Sequence, residues 1–429
     1  MKLKDSFFFI YYAVLMVILL SWTNTEAAPP ETSRYVFLAA VTVPLLFNRT
    51  PLIIAIITVF YTVSYYGYAF GYMPQTIEVY VVILIACLIL SGQTKSYKGM
   101  TGWLSFILFG MYAIIINTIT SFEPLIAVGG KTIFCCLFPF YFSTNKREGV
   151  KILEQSFIIL SIIMSIQYLI IGDQAILVYD QDGSGLTRTG WTDPNHFASI
   201  IGLGIVISVM LLMDLKERTL FSIIYYGMAI ILSVIVVLLN ASRGASLALA
   251  LSVIMMTFMS KVEKKYKFLI ILFIVLALIV LHQFGFFGLL EVRLATTDNT
   301  GTGRTLIWAT KLDAFLNSGN PLSLLFGVGF EEGLVLGTGY SRSFHNDVIC
   351  AFVDYGFIGL LLFLIMFAMP VVKAPRKKRP IILSLITYLF VVGFSLCPLT
   401  EGFLPYYVFL FYIFAKMQVF REQDYLDRL

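Results

Sequence analysis

The main pattern along the chain is a succession of apolar runs separated by short polar segments. A helix that crosses a bilayer needs about 20 consecutive apolar residues, within a range of about 17–25. The run at 35–47 is short and contains Pro44, so a broken or re-entrant helix is an alternative there. The pattern predicts an all-α, polytopic membrane protein with about 12–14 transmembrane helices. The candidate spans are 7–22, 35–47, 52–69, 77–91, 103–119, 125–142, 152–171, 197–213, 220–239, 245–259, 268–289, 348–371, 381–396 and 403–417.

Composition strengthens this prediction. The 429 residues are 59% hydrophobic and only 13% charged, with a mean hydropathy of +0.88. Soluble globular chains carry about 25% charged residues, so soluble domains are excluded. The net charge of +5 therefore does not indicate a nucleic-acid-binding protein. The distribution of the basic residues between the two sides of the membrane is more informative, because it orients the spans.

The first apolar run allows two interpretations. Lys2 and Lys4 precede the apolar stretch Phe7–Trp22, and the small residues Ala27 and Ala28 follow it. This arrangement resembles a secretory signal peptide. We prefer an uncleaved first span, because the stretch is long for the apolar part of a signal peptide.

The basic residues orient the predicted spans. With the N-terminus inside and the loops numbered alternately, 22 of the 30 Lys and Arg residues fall in inner loops. Such an excess is what the positive-inside rule describes. Lys131 lies within a span. The basic residues of the outer loops are Arg34, Arg188, Arg243, Arg293, Arg304, Lys311 and Arg342.

The longest polar interruption falls on the outer side in this orientation, in a loop at 290–347. The other outer loops of interest are 172–196, 240–244 and 397–402. We divide the chain into three parts on this basis. They are N-terminal helices at 1–172, a core with the outer loops at 173–360, and C-terminal helices with a cytoplasmic tail at 361–429.

Arginines on the translocated side are disfavoured by topology, so Arg188, Arg243 and Arg304 call for an explanation. A guanidinium is always charged, and its planar fork of donors suits phosphate oxygens. Several arginines at an outer boundary would suit the pyrophosphate of a lipid carrier. The alternative is that each is a loop residue paired with an acid. The acids available for such pairs include Asp180, Asp182, Asp193 and Glu331.

His345 is the main candidate for proton chemistry, because an unperturbed imidazole titrates near pH 6.5 and can act as a base. It stands where the long loop enters a span. Gly356 and Gly359 lie about three and four helical turns further on, so they are predicted to share its face and to let a neighbouring helix approach. The alternative is an interfacial histidine at a helix start that Asn346 or Asp347 caps.

Other polar residues near the membrane are weaker candidates. Lys131 could reach an anionic headgroup or extend to the interface, Asp354 could pair with a basic partner, and Glu401 could support an arginine or bind acceptor sugar. His196 and His282 are expected to be structural. The five cysteines show no metal-ligand spacing and no disulfide framework, so no metal or cofactor is predicted. The cysteines are Cys87, Cys135, Cys136, Cys350 and Cys397.

Four motifs recur near the predicted outer boundaries over about 188–360. They are Arg188 with Gly190 and Pro194-Asn195, Ser242-Arg243-Gly244, Gly303-Arg304 with Trp308, and His345-Asn346 followed after nine residues by Gly356-Phe357-Ile358-Gly359. Together these motifs resemble the O-antigen ligase and O-antigen polymerase family, and the spacing of the last motif is the most specific part of the resemblance. A departure is the number of spans, since about twelve is usual in that family.

The resemblance implies a GT-C-type glycan transferase of the bacterial inner membrane. It would work on the periplasmic face, without a metal, on glycan carried by undecaprenyl pyrophosphate. Arg188, Arg243 and Arg304 would hold the pyrophosphate, and His345 would activate the acceptor hydroxyl for an inverting displacement. The His345–Gly359 spacing favours a ligase acting on lipid A–core. A polymerase that extends lipid-linked repeat units is the alternative, and a transporter of the same lipid-linked sugar is another.

Overall fold

The computed structural model describes residues 10–15, 17, 104–120, 146–171, 194–213, 219–259, 304–338, 343–400 and 404–427, with separate residues between 267 and 291. The described residues form helices and no strands, which confirms the predicted all-α class. The helices are α1 (Leu104–Thr120), α2 (Lys146–Ile171), α3 (Pro194–Met213), α4 (Leu220–Leu239), α5 (Arg243–Met259), α6 (Arg304–Leu316), α7 (Pro321–Phe326), α8 (Phe330–Val335), α9 (Asp347–Lys373), α10 (Arg379–Ser395) and α11 (Leu404–Leu426).

The described helices include elements suited to a membrane. Within this part of the chain, α2, α3, α4 and α9 are long and apolar enough to cross a bilayer, and α1, α5 and α10 are shorter apolar helices. The chain is therefore a polytopic membrane protein. The number of spans stays a prediction, because several candidate spans lie outside the described residues. Those are 35–47, 52–69, 77–91 and 125–142, with 7–22 and 268–289 described only in part.

Contacts between residues divide the chain into two compact units. The first comprises 1–100, 134–178 and 189–236, and the second comprises 101–133, 179–188 and 237–429. The described helices of the first unit are α2, α3 and most of α4. The second unit contains α1 and α5 to α11.

Serine hydroxyls join the helices of the first unit. The Ser161 Oγ on α2 donates to the Ile201 carbonyl of α3 over 2.9 Å and lies 2.8 Å from the Ser233 Oγ of α4. Gly204 on α3 lies directly against Ser161, so that a Cβ at this position would collide with the serine. Small residues that allow close approach, with hydroxyls that hydrogen-bond across helices, are the usual means of helix association in lipid.

In the second unit, α5 and α10 pack side by side in opposite directions. Gly244, near the start of α5, lies against Ser395 at the end of α10. Deeper along the pair, the Ser252 hydroxyl donates to the Ser384 carbonyl over 2.8 Å. The first turn of α5 and the last turn of α10 therefore lie together at one end of this unit.

Helix α9 is broken at Gly356, where the backbone has φ 68° and ψ −170°. The break frees carbonyl groups that a continuous helix would use. The Val328 and Gly329 N–H groups donate to the Val353 and Asp354 carbonyls over 3.1 and 2.9 Å. Each buried backbone group in a membrane needs such a partner, because lipid offers none.

The hydroxyl of Tyr112 on α1 completes this arrangement by donating to the Tyr355 carbonyl over 3.0 Å. The residues between α7 and α8 thus pack against the break in α9, and Tyr112 of α1 binds a further carbonyl at the same break. The polar stretch that the sequence marks as a long loop consequently contains α6, α7 and α8, and it is anchored on α9.

Candidate functional site

His345 lies two residues before α9, outside the helix, with a backbone φ of 52°. A positive φ is uncommon for residues other than glycine, although histidine adopts it more readily than most. Such a conformation costs roughly 1–3 kcal/mol and persists only where neighbouring contacts enforce it. The His345 N–H donates to the Ser343 Oγ over 3.1 Å, and the His345 side chain is half-buried.

Phe344 is held on both its backbone and its ring. The Trp308 Nε1–H donates to the Phe344 carbonyl over 2.6 Å. The Lys311 Nζ lies 4.3 Å from the centre of the Phe344 ring, in the geometry of a cation–π contact. These contacts fix the position of Phe344, the residue immediately before His345, and so they also restrict the backbone at His345.

Lys311 has a further structural role. Its side chain is fully buried, and its Nζ donates to the Gly333 and Leu334 carbonyls over 2.7 and 2.6 Å. These carbonyls belong to the last turn of α8, the end of a helix that carries partial negative charge. The ammonium group therefore ties α6 to α8 while it contacts Phe344.

The residues that follow His345 are fixed by the start of α9. The Asn346 side chain caps the helix by accepting hydrogen bonds from the Val348 and Ile349 N–H groups over 3.0 and 3.2 Å. Of the two capping residues allowed by the sequence, the structure therefore assigns the cap to Asn346. Its role is therefore structural.

Asp347 is buried and joins α9 to the segment that follows α10. Its carboxylate accepts from the Thr400 N–H and the Thr400 hydroxyl over 2.9 and 2.8 Å, and from the Leu399 N–H over 3.2 Å. A buried carboxylate needs donors of this kind to compensate for the loss of water. Gly393 on α10 lies beside the same carboxylate, where a side chain would not fit without displacing it.

Residues 395–400, which we call the 395–400 segment, connect the arginine motifs to His345. The Arg304 Nη1 donates to the Ser395 carbonyl over 2.8 Å. Gly244, which follows Arg243, packs on the Ser395 side chain. The Asn346 N–H donates to the Cys397 Sγ over 2.9 Å. One short segment therefore contacts the Arg243, Arg304 and His345 motifs.

This arrangement brings positive groups to a single region of the second unit. Arg243 and Arg304 are the first residues of α5 and α6, and both side chains are half-buried. The N-terminus of a helix carries partial positive charge and points free N–H groups outwards. Two guanidinium groups at such positions can bind an anion such as phosphate, with an imidazole held in the same region.

The structure brings together only part of the predicted site. Arg188, Lys131 and Glu401 lie outside the described residues, so their roles stay predictions. Asp354 is buried on α9, and its carboxylate contacts Gly333 of α8. It therefore lies beneath α8, deeper along α9 than the 395–400 segment.

The predicted common face of His345, Gly356 and Gly359 is wrong. The prediction assumed a regular helix, whereas His345 precedes α9 and Gly356 interrupts it. The close neighbour at Gly356 is the backbone of Leu325 and Gly327, because a Cβ there would collide with both. At Gly359, the Tyr112 ring of α1 does approach closely, at 3.3 Å from the position of a Cβ.

The two remaining histidines are in different surroundings. His196 is buried in α3 of the first unit, and the His282 Nε2 lies 3.1 Å from the Glu291 Oε1 with both side chains exposed. Among the described residues, no three His, Cys, Asp or Glu side chains are grouped so that they could hold a metal. Metal-independent chemistry stays a prediction.

Sequence reasoning did not identify Lys311, Asp347 or Ser395 as parts of the site. For Lys311 a signal existed, because Lys311 follows Arg304 and Trp308 at intervals of four and three residues, which places all three on one face of a helix. That signal is visible only if 304–316 is interpreted as a helix and not as loop. Asp347 and Ser395 carry no local signal, since their partners lie far away in the sequence.

Comparison with known proteins gives one family match, which covers part of the chain. Residues 228–364 match the family model described as O-antigen ligase. The matched region contains Arg243, Arg304 and His345, together with α6, α7 and α8. A separate comparison with curated proteins gave no match to the chain.

Proposed function

We propose, from the O-antigen ligase family to which residues 228–364 belong, that this chain is a membrane transferase of lipid-linked glycan. The observation that carries the proposal is that the 395–400 segment contacts the Arg243, Arg304 and His345 motifs, which all lie inside the matched region. Positive groups in the same region as a base suit the displacement of a diphosphate from a sugar.

In the proposed reaction, His345 takes the proton of an acceptor hydroxyl, and the oxygen attacks the anomeric carbon of the glycan. The bond between that carbon and the pyrophosphate oxygen breaks, with inversion. The carrier leaves as undecaprenyl pyrophosphate, and the imidazolium later releases its proton to water. The pyrophosphate is a good leaving group, so the protein mainly has to position the hydroxyl and stabilise the developing charge.

Arg243 and Arg304, with Arg188 as a further candidate, would bind the pyrophosphate. Their planar donors can form paired hydrogen bonds to phosphate oxygens, which a lysine ammonium cannot copy. Cations held in advance of the reaction at a boundary of low dielectric constant stabilise charge more than they do in water. No metal is required when guanidinium groups occupy that position.

Two acceptors fit this chemistry. We prefer a ligase that joins the glycan to lipid A–core, on the His345–Gly359 spacing. The alternative is a polymerase that joins it to another lipid-linked repeat unit. For both acceptors we infer a protein of the bacterial inner membrane with the reaction on the periplasmic face, the side on which the distribution of basic residues predicts Arg243, Arg304 and His345. A transporter of the same donor would move the glycan without forming a glycosidic bond.

The decisive experiment follows surface glycan on gels in a strain that lacks this chain. A ligase predicts loss of all capped core chains, and a polymerase predicts core that carries a single repeat. Normal capping in the deletion strain would contradict both.

The deletion strain is then complemented with His345→Ala. We expect glycan transfer to fall by about 10²–10⁴-fold, the usual contribution of a general base. His282→Ala is the matched control, because it removes an exposed imidazole elsewhere in the chain. Retained transfer with His345→Ala, at normal protein levels in the membrane, would remove His345 as the base.

A further inference from the structure

Two cysteines that are distant in sequence meet beside His345. The Cys350 Sγ, in the first turns of α9, lies 3.0 Å from the Cys397 Sγ of the 395–400 segment. Both side chains are buried, with exposed fractions of 3% and 0%. The two positions are 47 residues apart. Nothing in the spacing of the five cysteines along the chain indicates this pair.

The surroundings of the pair hold the two sulfurs close to each other. The Cys397 Sγ accepts a hydrogen bond from the Asn346 N–H over 2.9 Å. Cys350 lies in the first turns of α9, and both sulfurs belong to a buried apolar cluster that includes Phe315, Phe344 and Val353. The nearest acid in the sequence, Asp347, has its carboxylate engaged by Leu399 and Thr400. A thiolate at either position would face the sulfur of the other.

We propose that Cys350 and Cys397 form a disulfide bond, which makes the pair a modification site. The oxidant is a disulfide, either a small molecule or the disulfide of an oxidoreductase. One thiolate attacks it and gives a mixed disulfide, and the second thiolate then displaces the remaining thiol. The two cysteines lose two protons and two electrons, and the oxidant gains them as two thiols. The sulfurs need to approach by only about 1 Å to reach bonding distance.

The bond would connect two parts of the proposed site covalently. It would tie the start of α9, beside His345, to the segment whose Ser395 carbonyl accepts from Arg304. Closing a loop of this length restricts the unfolded chain and so stabilises the folded one. The occurrence of the bond in cells rests on the proposed periplasmic location, since disulfides persist in oxidising compartments. The chemistry of the pair does not depend on glycan transfer.

The test uses the full-length chain with Cys87, Cys135 and Cys136 changed to serine, so that only the pair is left. The purified protein is first denatured and treated with a maleimide polymer, with and without prior reduction. If the disulfide is already present, the maleimide modifies no cysteine in the unreduced protein and two cysteines in the reduced protein. If both thiols are modified without reduction, folded protein is treated with 4,4′-dipyridyl disulfide.

In that second step, we expect release of two equivalents of thiopyridone and a mass loss of two hydrogens. The matched control changes Cys397 to serine as well, and it should form no internal bond. Glycan transfer by the three-serine protein is measured separately, so that loss of transfer is not confused with failure of the pair. Two thiols that stay reduced in the folded protein, or that each keep a thiopyridyl group, would overturn the proposal.

Discussion

The contact of α2 with α3 and α4 depends on serine hydroxyls, whereas the surroundings of His345 depend on charged groups bound to the backbone. Ser161 and Ser233 have two hydrogen-bond partners each. Lys311 and Asp347 are equally buried but engage at least three groups each, two carbonyls and the Phe344 ring for Lys311 and three donors for Asp347, because a charge is far more costly to remove from water. Neutral hydroxyls join helices in the first unit, while these charged groups join helices and also hold the chain on either side of His345.

The largest effect is expected at the glycine that breaks α9. Gly356→Ala should lower the free energy of unfolding by about 3 kcal/mol or more, because the positive φ alone costs about 1–3 kcal/mol and the Cβ would collide with backbone. Gly227→Ala in α4 is the matched control, since no atom lies within 4 Å of the added Cβ. Thermal unfolding in detergent measures both. Equal stability of the two variants would contradict the role of the break in α9.

A smaller effect is expected when the arginine fork is replaced by a point charge. Arg243→Lys and Arg304→Lys should each reduce glycan transfer by about 10²-fold, the usual effect of removing one donor that stabilises developing charge. Arg376→Lys, in the exposed turn between α9 and α10, should transfer at the normal rate. Transfer is measured in membrane vesicles with lipid-linked donor. Full activity of both site variants would argue against pyrophosphate binding by these arginines.

The hydrogen bond to the Phe344 carbonyl can be removed without changing the charge of any side chain. Trp308→Phe deletes the Nε1–H that donates to the Phe344 carbonyl and should slow transfer by about tenfold, because leaving this partly buried carbonyl without its donor costs about 1–3 kcal/mol. Asn317→Ala is the control, as it removes an exposed side chain just after α6. The rate at saturating donor should fall, with little change in donor affinity. If only the affinity for the donor changes, the result would contradict a role of Trp308 in positioning His345.

The smallest effect should occur in the first unit. Ser233→Ala removes the hydrogen bonds of Ser233 with Ser161 and Ser165, yet such bonds between membrane helices contribute only about 0.6 kcal/mol on average. Glycan transfer should be unchanged and the unfolding midpoint only slightly lower. A loss of transfer comparable to that of Trp308→Phe would show that the serine contacts also support the site.

Much of the fold could be predicted because membrane helices satisfy their own backbone. The span predicted at 220–239 coincides with α4, and those at 103–119 and 381–396 differ from α1 and α10 by one or two residues. In lipid, an apolar run of sufficient length has few conformations other than a helix. The sequence also indicated Arg243, Arg304 and His345, because charged groups at predicted outer boundaries need a reason to be there.

Prediction failed where the chain departs from regular helices. The shared face of His345 and Gly356 assumed a continuous helix, but the break in α9 is stable only because Val328, Gly329 and Tyr112 supply donors from elsewhere. Likewise, the sequence predicts a loop where α6 to α8 lie, since their polar composition gives no membrane signal. Their helical form is supported by contacts of Trp308 and Lys311 with distant residues.

The sequence by itself determined the class of protein, most of the described helices and the motifs that resemble the O-antigen ligase family. Those properties depend on runs of neighbouring residues and on their hydrophobicity. Only the tertiary structure decided that Arg304 meets Ser395, 91 residues away, and that Cys350 meets Cys397. Contacts of this kind depend on how separate helices pack, and packing is set by shape and by hydrogen-bond partners across the fold rather than by local pattern.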